Sequence, residues 1–205
     1  MGTLARGTLW IMHTRPCIWC VRNIVPNLRL PWRRGVPKDV RPAGKKMLRP
    51  GSFLLSLSPF GLSSLVTRGW DHAALCVGAE ANVVAIAEMT RRGFGVVSWN
   101  KFCDHARRVL ILECDDFDDD YRIEVVAQCL SYRRVGYDFQ FEADDQELTC
   151  AELPYQSDFD GRLGIVLEPL WLTGKLCIKP QQILDAVNVS VTWDSAGRLD
   201  GKVKR

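Results

Sequence analysis

Three side chains of the 205-residue chain have the chemistry that acyl transfer requires: an imidazole, a carboxylate and a thiol. His72 and Glu88 stand at the outer ends of two apolar runs within residues 70–90, with few polar residues between them. The thiol is that of Cys150, in the motif TCAE. A cysteine activated by an imidazole that a carboxylate orients is the arrangement of a cysteine hydrolase.

The pairing of His72 with Glu88 follows from a predicted β-hairpin. Strands over 72–77 and 83–88 flank the Gly- and Asn-bearing loop 78–82. Symmetric pairing about this loop sets His72 directly opposite Glu88, with Cβ atoms about 4.5–5.5 Å apart. The carboxylate would then orient the imidazole, fix its tautomer and favour its cation. A cross-strand ion pair with a purely structural role stays open as the alternative, because it uses the same residue types.

The motif TCAE has the pattern of a capping box, with Thr149 as the cap and Glu152 three residues later. Cys150 is then predicted to be the first helical residue, where free N–H groups stabilise a thiolate and an oxyanion. Pro154 lacks the N–H that would bond to the Cys150 carbonyl, so we expect a short or irregular helix start. The alternative is that Cys150 is a small buried residue, which is our interpretation of the other seven cysteines.

The elements that must position these residues follow from apolar periodicity and turn signals. The acidic run 115–120 is predicted to be a helix N-terminus, because carboxylates there complement the helix dipole. Besides the hairpin, the sequence predicts strands within 49–58, at 94–99 and at 108–114, helices at 58–70, 121–134 and 147–159, and a helix followed by a strand over 179–193.

Residues 1–48 are rich in Arg, Pro and Trp and show no sustained period. We predict a basic and poorly ordered extension over 1–48, followed by one domain over 49–205. This extension could make weak contact with an anionic surface, whereas the net charge of +3 is too small to indicate nucleic-acid binding.

Composition limits the other function classes. Hydrophobic residues make up 47% and charged residues 25% of the chain, which supports a globular core. No apolar run has the length of a membrane span, and no early run fits a secretory signal core. We expect a cytoplasmic protein, or one exported without such a signal. The pair Cys17 and Cys20, with His13 upstream, is an incomplete zinc ligand set, so we predict neither a metal nor another cofactor.

Five segments together resemble the circularly permuted branch of the NlpC-type papain-like cysteine hydrolases, the YiiX-like and YaeF-like proteins. They are RPGSFLLS, SSLVTRGWDHAALCVG, VAIAEMTRRGFGVVS, GYDFQF and TCAELPYQSD, spread over residues 49–193. In that family a histidine comes first, an acidic or polar third member follows, and the cysteine comes last. This order matches His72, Glu88 and Cys150.

The resemblance implies a papain-like α+β fold with a small antiparallel sheet, helices packed on one side and a cleft between them. It implies acyl transfer without a cofactor, in which His72 takes the proton of Cys150 and the sulfur attacks an amide or ester carbonyl. A recurrent Tyr-Asp element matches Tyr137 and Asp138, which we interpret as structural or as lining the cleft rather than as catalytic. With Trp70, these two residues are the candidate substrate contacts.

Two positions depart from the family pattern: Ser52 replaces a frequent aspartate, and Pro154 replaces an apolar helix former. Neither removes a member of the triad. Three functions stay open: hydrolysis of an amide or peptide, for example a cell-wall peptide; a lipid-directed amidase, esterase or acyltransferase reaction on the same triad; and non-catalytic binding. The sequence does not predict the oligomeric state.

Overall fold

The computed structural model describes residues 35–58, 69–138, 147–169 and 174–197. The strands in chain order are β1 (Phe53–Leu57), β2 (His72–Glu80), β3 (Val83–Thr90), β4 (Gly93–Ser98), β5 (Arg108–Cys114), β6 (Gly136–Tyr137), β7 (Glu147–Leu148), β8 (Glu168–Pro169), β9 (Leu176–Cys177) and β10 (Val189–Asp194). The α-helices are α1 (Arg41–Met47), α2 (Trp99–His105), α3 (Asp119–Ser131), α4 (Glu152–Ser157) and α5 (Pro180–Asp185), and a 3-10 turn covers Tyr132–Arg134.

The main sheet has six strands in the order β10-β5-β1-β2-β3-β4, and all neighbours in it are antiparallel. Two further pairs are short: β6 and β7 are parallel, and β8 and β9 are antiparallel. Strand β2 is therefore an interior strand, hydrogen-bonded to β1 on one side and to β3 on the other. None of the helices in the described ranges is long and apolar enough to cross a membrane.

Both faces of the main sheet are covered. In β1 the buried side chains of Phe53 and Leu55 join one core, and Leu54 joins the other. The first core includes residues of α3 and α4, and the second includes residues of α2 and lies against α1. A mixed fold with an antiparallel sheet is confirmed, but the expected packing of helices on one side is corrected. The unbroken apolar run of β1 is typical of a strand with both faces buried.

Helix α1 lies in the segment that we predicted to be an extension. Its Gly44 is buried against two tryptophan rings, and Val36, just before the helix, is 1% exposed. Pro42 fits the first turn of this helix, where its missing N–H has no intrahelical partner. Residues 35–48 thus pack on the domain, whereas the predicted extension over 1–34 lies outside the described residues.

The hairpin of β2 and β3 differs from its predicted pairing. The turn has two residues, Ala81 and Asn82, which have φ angles of 47° and 65°, as a tight hairpin turn requires. A bulge between Cys76 and Gly78 also shifts the pairing of the two strands. As a result, Glu88 lies opposite Ala74 rather than His72. On the His72 side of the bulge the pairing is shifted by two residues from the predicted one, so His72 and Glu88 keep their predicted face of the sheet.

Helix α3 begins as the acidic run predicted. The Asp118 carboxylate accepts a hydrogen bond from the Tyr121 N–H at 2.8 Å and caps the helix. A buried ion pair joins α3 to β5, with Arg122 Nη1 2.7 Å from Glu113 Oε2. The hydroxyl of Ser52 donates a hydrogen bond to the other oxygen of Glu113. The predicted helix at 58–70 falls mainly on residues 59–68, outside the described ranges.

Candidate active site

His72 is the first residue of β2, and its side chain meets Glu88 of β3. The Nε2 atom of His72 lies 3.0 Å from Oε2 of Glu88, and the two side chains are 21% and 14% exposed. Glu88 is a diagonal neighbour of His72 across the strands, within the reach of long side chains. The predicted contact therefore forms, by a diagonal rather than a direct pairing.

The capping box of the motif TCAE forms in both directions. The Thr149 N–H donates to Glu152 Oε2 at 2.6 Å, and the Glu152 N–H donates to Thr149 Oγ1 at 3.3 Å. Helix α4 nevertheless begins at Glu152 and has six residues, so Cys150 belongs to the turn that precedes the helix. This corrects its predicted position as the first helical residue. The short helix has the form expected from Pro154, which lies in its first turn.

The thiol of Cys150 lies close to the imidazole of His72. The Cys150 sulfur lies 3.9 Å from the backbone carbonyl oxygen of Asp71, the residue that precedes His72, and it is within hydrogen-bond reach of the His72 side chain. Because Nε2 of His72 contacts Glu88, Nδ1 is the nitrogen left for the thiol. The structure thus brings the three predicted catalytic residues together from β2, β3 and the turn before α4.

The charges of the site favour an imidazolium. Burial lowers the pKa of His72, but hydrogen bonds to Cys150 and Glu88, together with their charges, outweigh burial and raise the pKa to about 10. Burial raises the pKa of Glu88, but its hydrogen bond to His72 and nearby positive charge outweigh burial and lower the pKa of this carboxyl. Part of that charge comes from His105 and Lys101 of α2. Both directions stabilise an ionised His72–Glu88 pair.

The three residues expected to contact the substrate have different surroundings. Tyr137 is half-buried in β6, and burial followed by the charge of Cys150 raises the pKa of its phenol. Asp138 is 3% exposed, and its N–H donates to the Leu148 carbonyl at 3.1 Å. Trp70 is 7% exposed and joins the first core, where the guanidinium carbon of Arg108 lies 5.3 Å from its ring centroid. Tyr137 is thus close enough to Cys150 for the charge of the sulfur to act on its phenol, whereas Trp70 and Asp138 are buried.

Two neighbours of the site were not predicted from the sequence. The backbone carbonyl of Asp71 faces the thiol of Cys150, and the ring of Phe102 packs beside His72 with centroids 6.2 Å apart. A carbonyl carries no side-chain signal in a sequence. Phe102 has the apolar character of any core residue of an amphipathic helix, so its spacing does not set it apart.

The other described cysteines are buried free thiols, which agrees with their predicted structural role. Burial raises the pKa of Cys76 and Cys114 to about 11 and of Cys103 and Cys129 to about 12, and it also raises the pKa of Cys177. These thiols stay protonated at neutral pH, which makes them poor nucleophiles.

A cavity of about 660 Å³ lies away from the triad, between α1 and α2. Its lining residues are Lys38, Arg41, Pro42, Lys45, Trp99, Asn100 and Asp104. Among the described residues, no group of three or more His, Cys, Asp or Glu side chains is arranged to hold a metal ion.

A sheet that supplies a histidine early in the chain, and a helix-start turn that supplies a cysteine late in it, define a papain-like fold with permuted chain order. The chain belongs to the C92 family of permuted papain-like amidases, the YaeF/YiiX family, whose model matches residues 47–197. This family is one of cysteine peptidases and amidases. The cysteine enzyme class predicted from the sequence is thereby confirmed.

The fold is similar to that of a solved relative. The crystal structure described as metalloprotein YiiX from Escherichia coli O157:H7 superposes with a TM-score of 0.61 at 14% sequence identity. The similarity covers 71% of this chain and 96% of that chain. At this level of identity the similarity supports the fold alone. A search of curated proteins finds no match to the chain.

Proposed function

We propose that this protein cleaves an amide or peptide bond with a triad in which Cys150 is the nucleophile, His72 the acid and base, and Glu88 the residue that orients His72. The observation that carries the proposal is the meeting of the three groups: a 3.0 Å contact from His72 to Glu88, and the thiol within hydrogen-bond reach of the same ring. The membership of the chain in a family of amidases supports the choice of bond.

In the first step His72 Nδ1 takes the proton from Cys150 Sγ while Glu88 accepts the Nε2–H hydrogen bond. The sulfur attacks the carbonyl carbon, and the negative charge moves to the carbonyl oxygen. Backbone N–H groups of the turn before α4 are the candidate donors to this oxyanion. The raised pKa of His72 favours the thiolate–imidazolium pair that begins this step.

Collapse of the tetrahedral intermediate breaks the C–N bond. The imidazolium of His72 gives its proton to the leaving nitrogen, so an amine departs and a thioester to Cys150 remains. Water then gives one proton to His72 and attacks the thioester carbonyl. Return of this proton to the sulfur releases a carboxylic acid and restores the starting enzyme.

A second candidate is the same chemistry on an acyl lipid, either hydrolysis or transfer to an acceptor. Exposed apolar side chains favour it: Val166, before β8, is 77% exposed and Leu176, in β9, is 50% exposed. Ile178, directly after β9, belongs to the same apolar core as Leu153 of α4. Apolar groups at this position would suit a substrate with an alkyl chain.

Mass spectrometry of substrate mixtures tests both candidates. Purified protein is incubated separately with cell-wall peptide fragments and with vesicles that carry N-acyl and O-acyl lipids, and the products are searched for an acid formed by addition of water. We expect Cys150→Ser and His72→Ala to abolish turnover and Cys114→Ala, a buried matched control, to retain it. Turnover that survives both site substitutions would refute the triad. Cleavage of lipids alone would refute the peptide substrate.

A further inference from the structure

The catalytic imidazole proposed above has an aromatic neighbour in the core beneath α2. The rings of His72 and Phe102 lie 6.2 Å apart at 32°, within the range in which aromatic pairs attract each other. Phe102 belongs to α2 and is 3% exposed. Its ring therefore limits how the imidazole can turn and keeps water from one side of it.

Phe102 is the first of a chain of rings that leads to α1. It stacks on Trp99 with centroids 6.5 Å apart and an interplanar angle of 19°. Trp99 meets Trp193 edge-on at 5.7 Å. A Cβ atom at Gly44 of α1 would lie 2.9 Å from both tryptophan rings, so this helix fits because residue 44 has no side chain.

Polar contacts hold α1 and α2 together. The indole N–H of Trp99 donates to the Arg41 carbonyl at 3.1 Å. The Arg41 guanidinium is buried, donates to the Val36 carbonyl at 2.7 and 2.9 Å, and lies 2.8 Å from Asp104 of α2. The Arg41 guanidinium also donates to the Asn100 carbonyl at 3.2 Å, so several polar contacts fix α1 to α2.

We propose that Phe102 is a positioning residue for His72 and that α1 acts on the active site through the rings of Trp99 and Phe102. Most of α1 precedes residue 47, where the family match begins. The inference rests on the proposed function, because it assigns a role to packing around a catalytic imidazole.

The charged groups around the imidazole come from several elements. His72 faces Glu88 of β3 and Cys150 before α4. The positive charges of Lys101 and His105 of α2 act in turn on Glu88. A shift of α2 would thus change both the orientation of the ring and the charge beside its carboxylate partner. Weaker support of the imidazolium leaves less of the thiolate–imidazolium pair, and the thiolate is the reactive form of a cysteine.

The test measures the rate at which iodoacetamide alkylates Cys150 between pH 5.5 and 10, followed by mass spectrometry of the intact full chain. We expect Phe102→Ala and Gly44→Ala to lower the rate at pH 7 about two- to tenfold, as loss of an aromatic contact would. The rate at pH 10 should stay unchanged, so that the profile moves to higher pH. Phe102→Leu should restore part of the rate at pH 7.

The controls separate this inference from the triad itself. Ala43→Ser changes the exposed side of α1 and should keep the wild-type profile. If His72→Ala moves the profile and both Phe102→Ala and Gly44→Ala leave it unchanged while only the melting temperature falls, the inference is wrong and the triad stands. If His72→Ala leaves the profile unchanged, the triad and the inference are both wrong. Gly44→Ala leaves all of the aromatic side chains in place. It therefore tests the inference even if Phe102→Ala fails to fold.

Discussion

The substitution Glu88→Gln tests the charge relationship at the centre of the site. It keeps the size and shape of the side chain and removes the negative charge 3.0 Å from His72 Nε2. With side chains 21% and 14% exposed, the pair has limited screening by water. A hydrogen bond to a charged group is worth about 1.5–3 kcal/mol. Loss of that energy from the imidazolium form lowers the pKa of His72 by about 1–2.

The assay is an NMR titration of the imidazole protons. The chain has three histidines, so the His72 signal is assigned by its absence in His72→Asn. In the wild type the midpoint should lie near the raised pKa of about 10, and in Glu88→Gln it should be clearly lower. Glu80→Gln removes the same charge at the exposed end of β2 and should leave the midpoint in place. An equal midpoint in the wild type and Glu88→Gln would refute the reasoning.

The same substitution changes how stability depends on pH. The pKa of His72 is raised in the folded state, so imidazolium contacts stabilise the fold fully below pH 6.5, and this contribution is lost as the pH rises through about 10. In Glu88→Gln the loss should be complete at a lower pH. Urea unfolding at pH 6 and pH 10 measures the difference between the two proteins, which should be larger at pH 6.

Three other predictions concern reactivity and stability. At pH 7 a thiol probe should label Cys150 and leave the other described cysteines of the folded protein unlabelled. The reason is that burial raises the pKa of those other thiols. Labelling of several of these described sites in the native protein would contradict this prediction. Arg122→Met should lower the free energy of unfolding by about 1–3 kcal/mol, because it removes the buried partner of Glu113 and leaves only the more exposed Arg49 guanidinium and the Ser52 hydroxyl beside this carboxylate. Urea unfolding measures this, and a loss no larger than that of the exposed-site control Ile123→Ala would count against it. Ala81→Gly should raise the melting temperature, because Ala81 has a φ of 47°, which glycine adopts without strain. A lower melting temperature would contradict the claim that Ala81 is strained.

The contact between His72 and Glu88 could be predicted although the predicted pairing was wrong. The sequence predicted a five-residue loop, but the two-residue turn at Ala81 and Asn82 and the bulge after Cys76 shift the strands by two residues. A shift by an even number keeps each side chain on its face, so the two groups still meet. The bulge itself has no clear sequence signal, since it depends on how β2 fits against both of its neighbours.

The capping box was predictable because its hydrogen bonds join residues only three positions apart. The packing of α1 was not, because it depends on contact between Gly44 and rings distant in the sequence. The burial of Trp70 is of the same kind, since its cation partner, Arg108, comes from another strand. Local patterns thus predicted the nucleophile turn and the hairpin face, whereas long-range packing decided the rest.

The three groups of the proposed triad stand on different kinds of element. His72 and Glu88 belong to interior strands of the main sheet, whereas Cys150 precedes a helix of six residues. Local opening costs less in a short turn and helix than in central strands, so we expect the turn of Cys150 to open while the sheet stays intact. Gentle warming should therefore abolish the catalytic activity reversibly. This loss should occur at temperatures where the circular dichroism spectrum is still that of the folded protein.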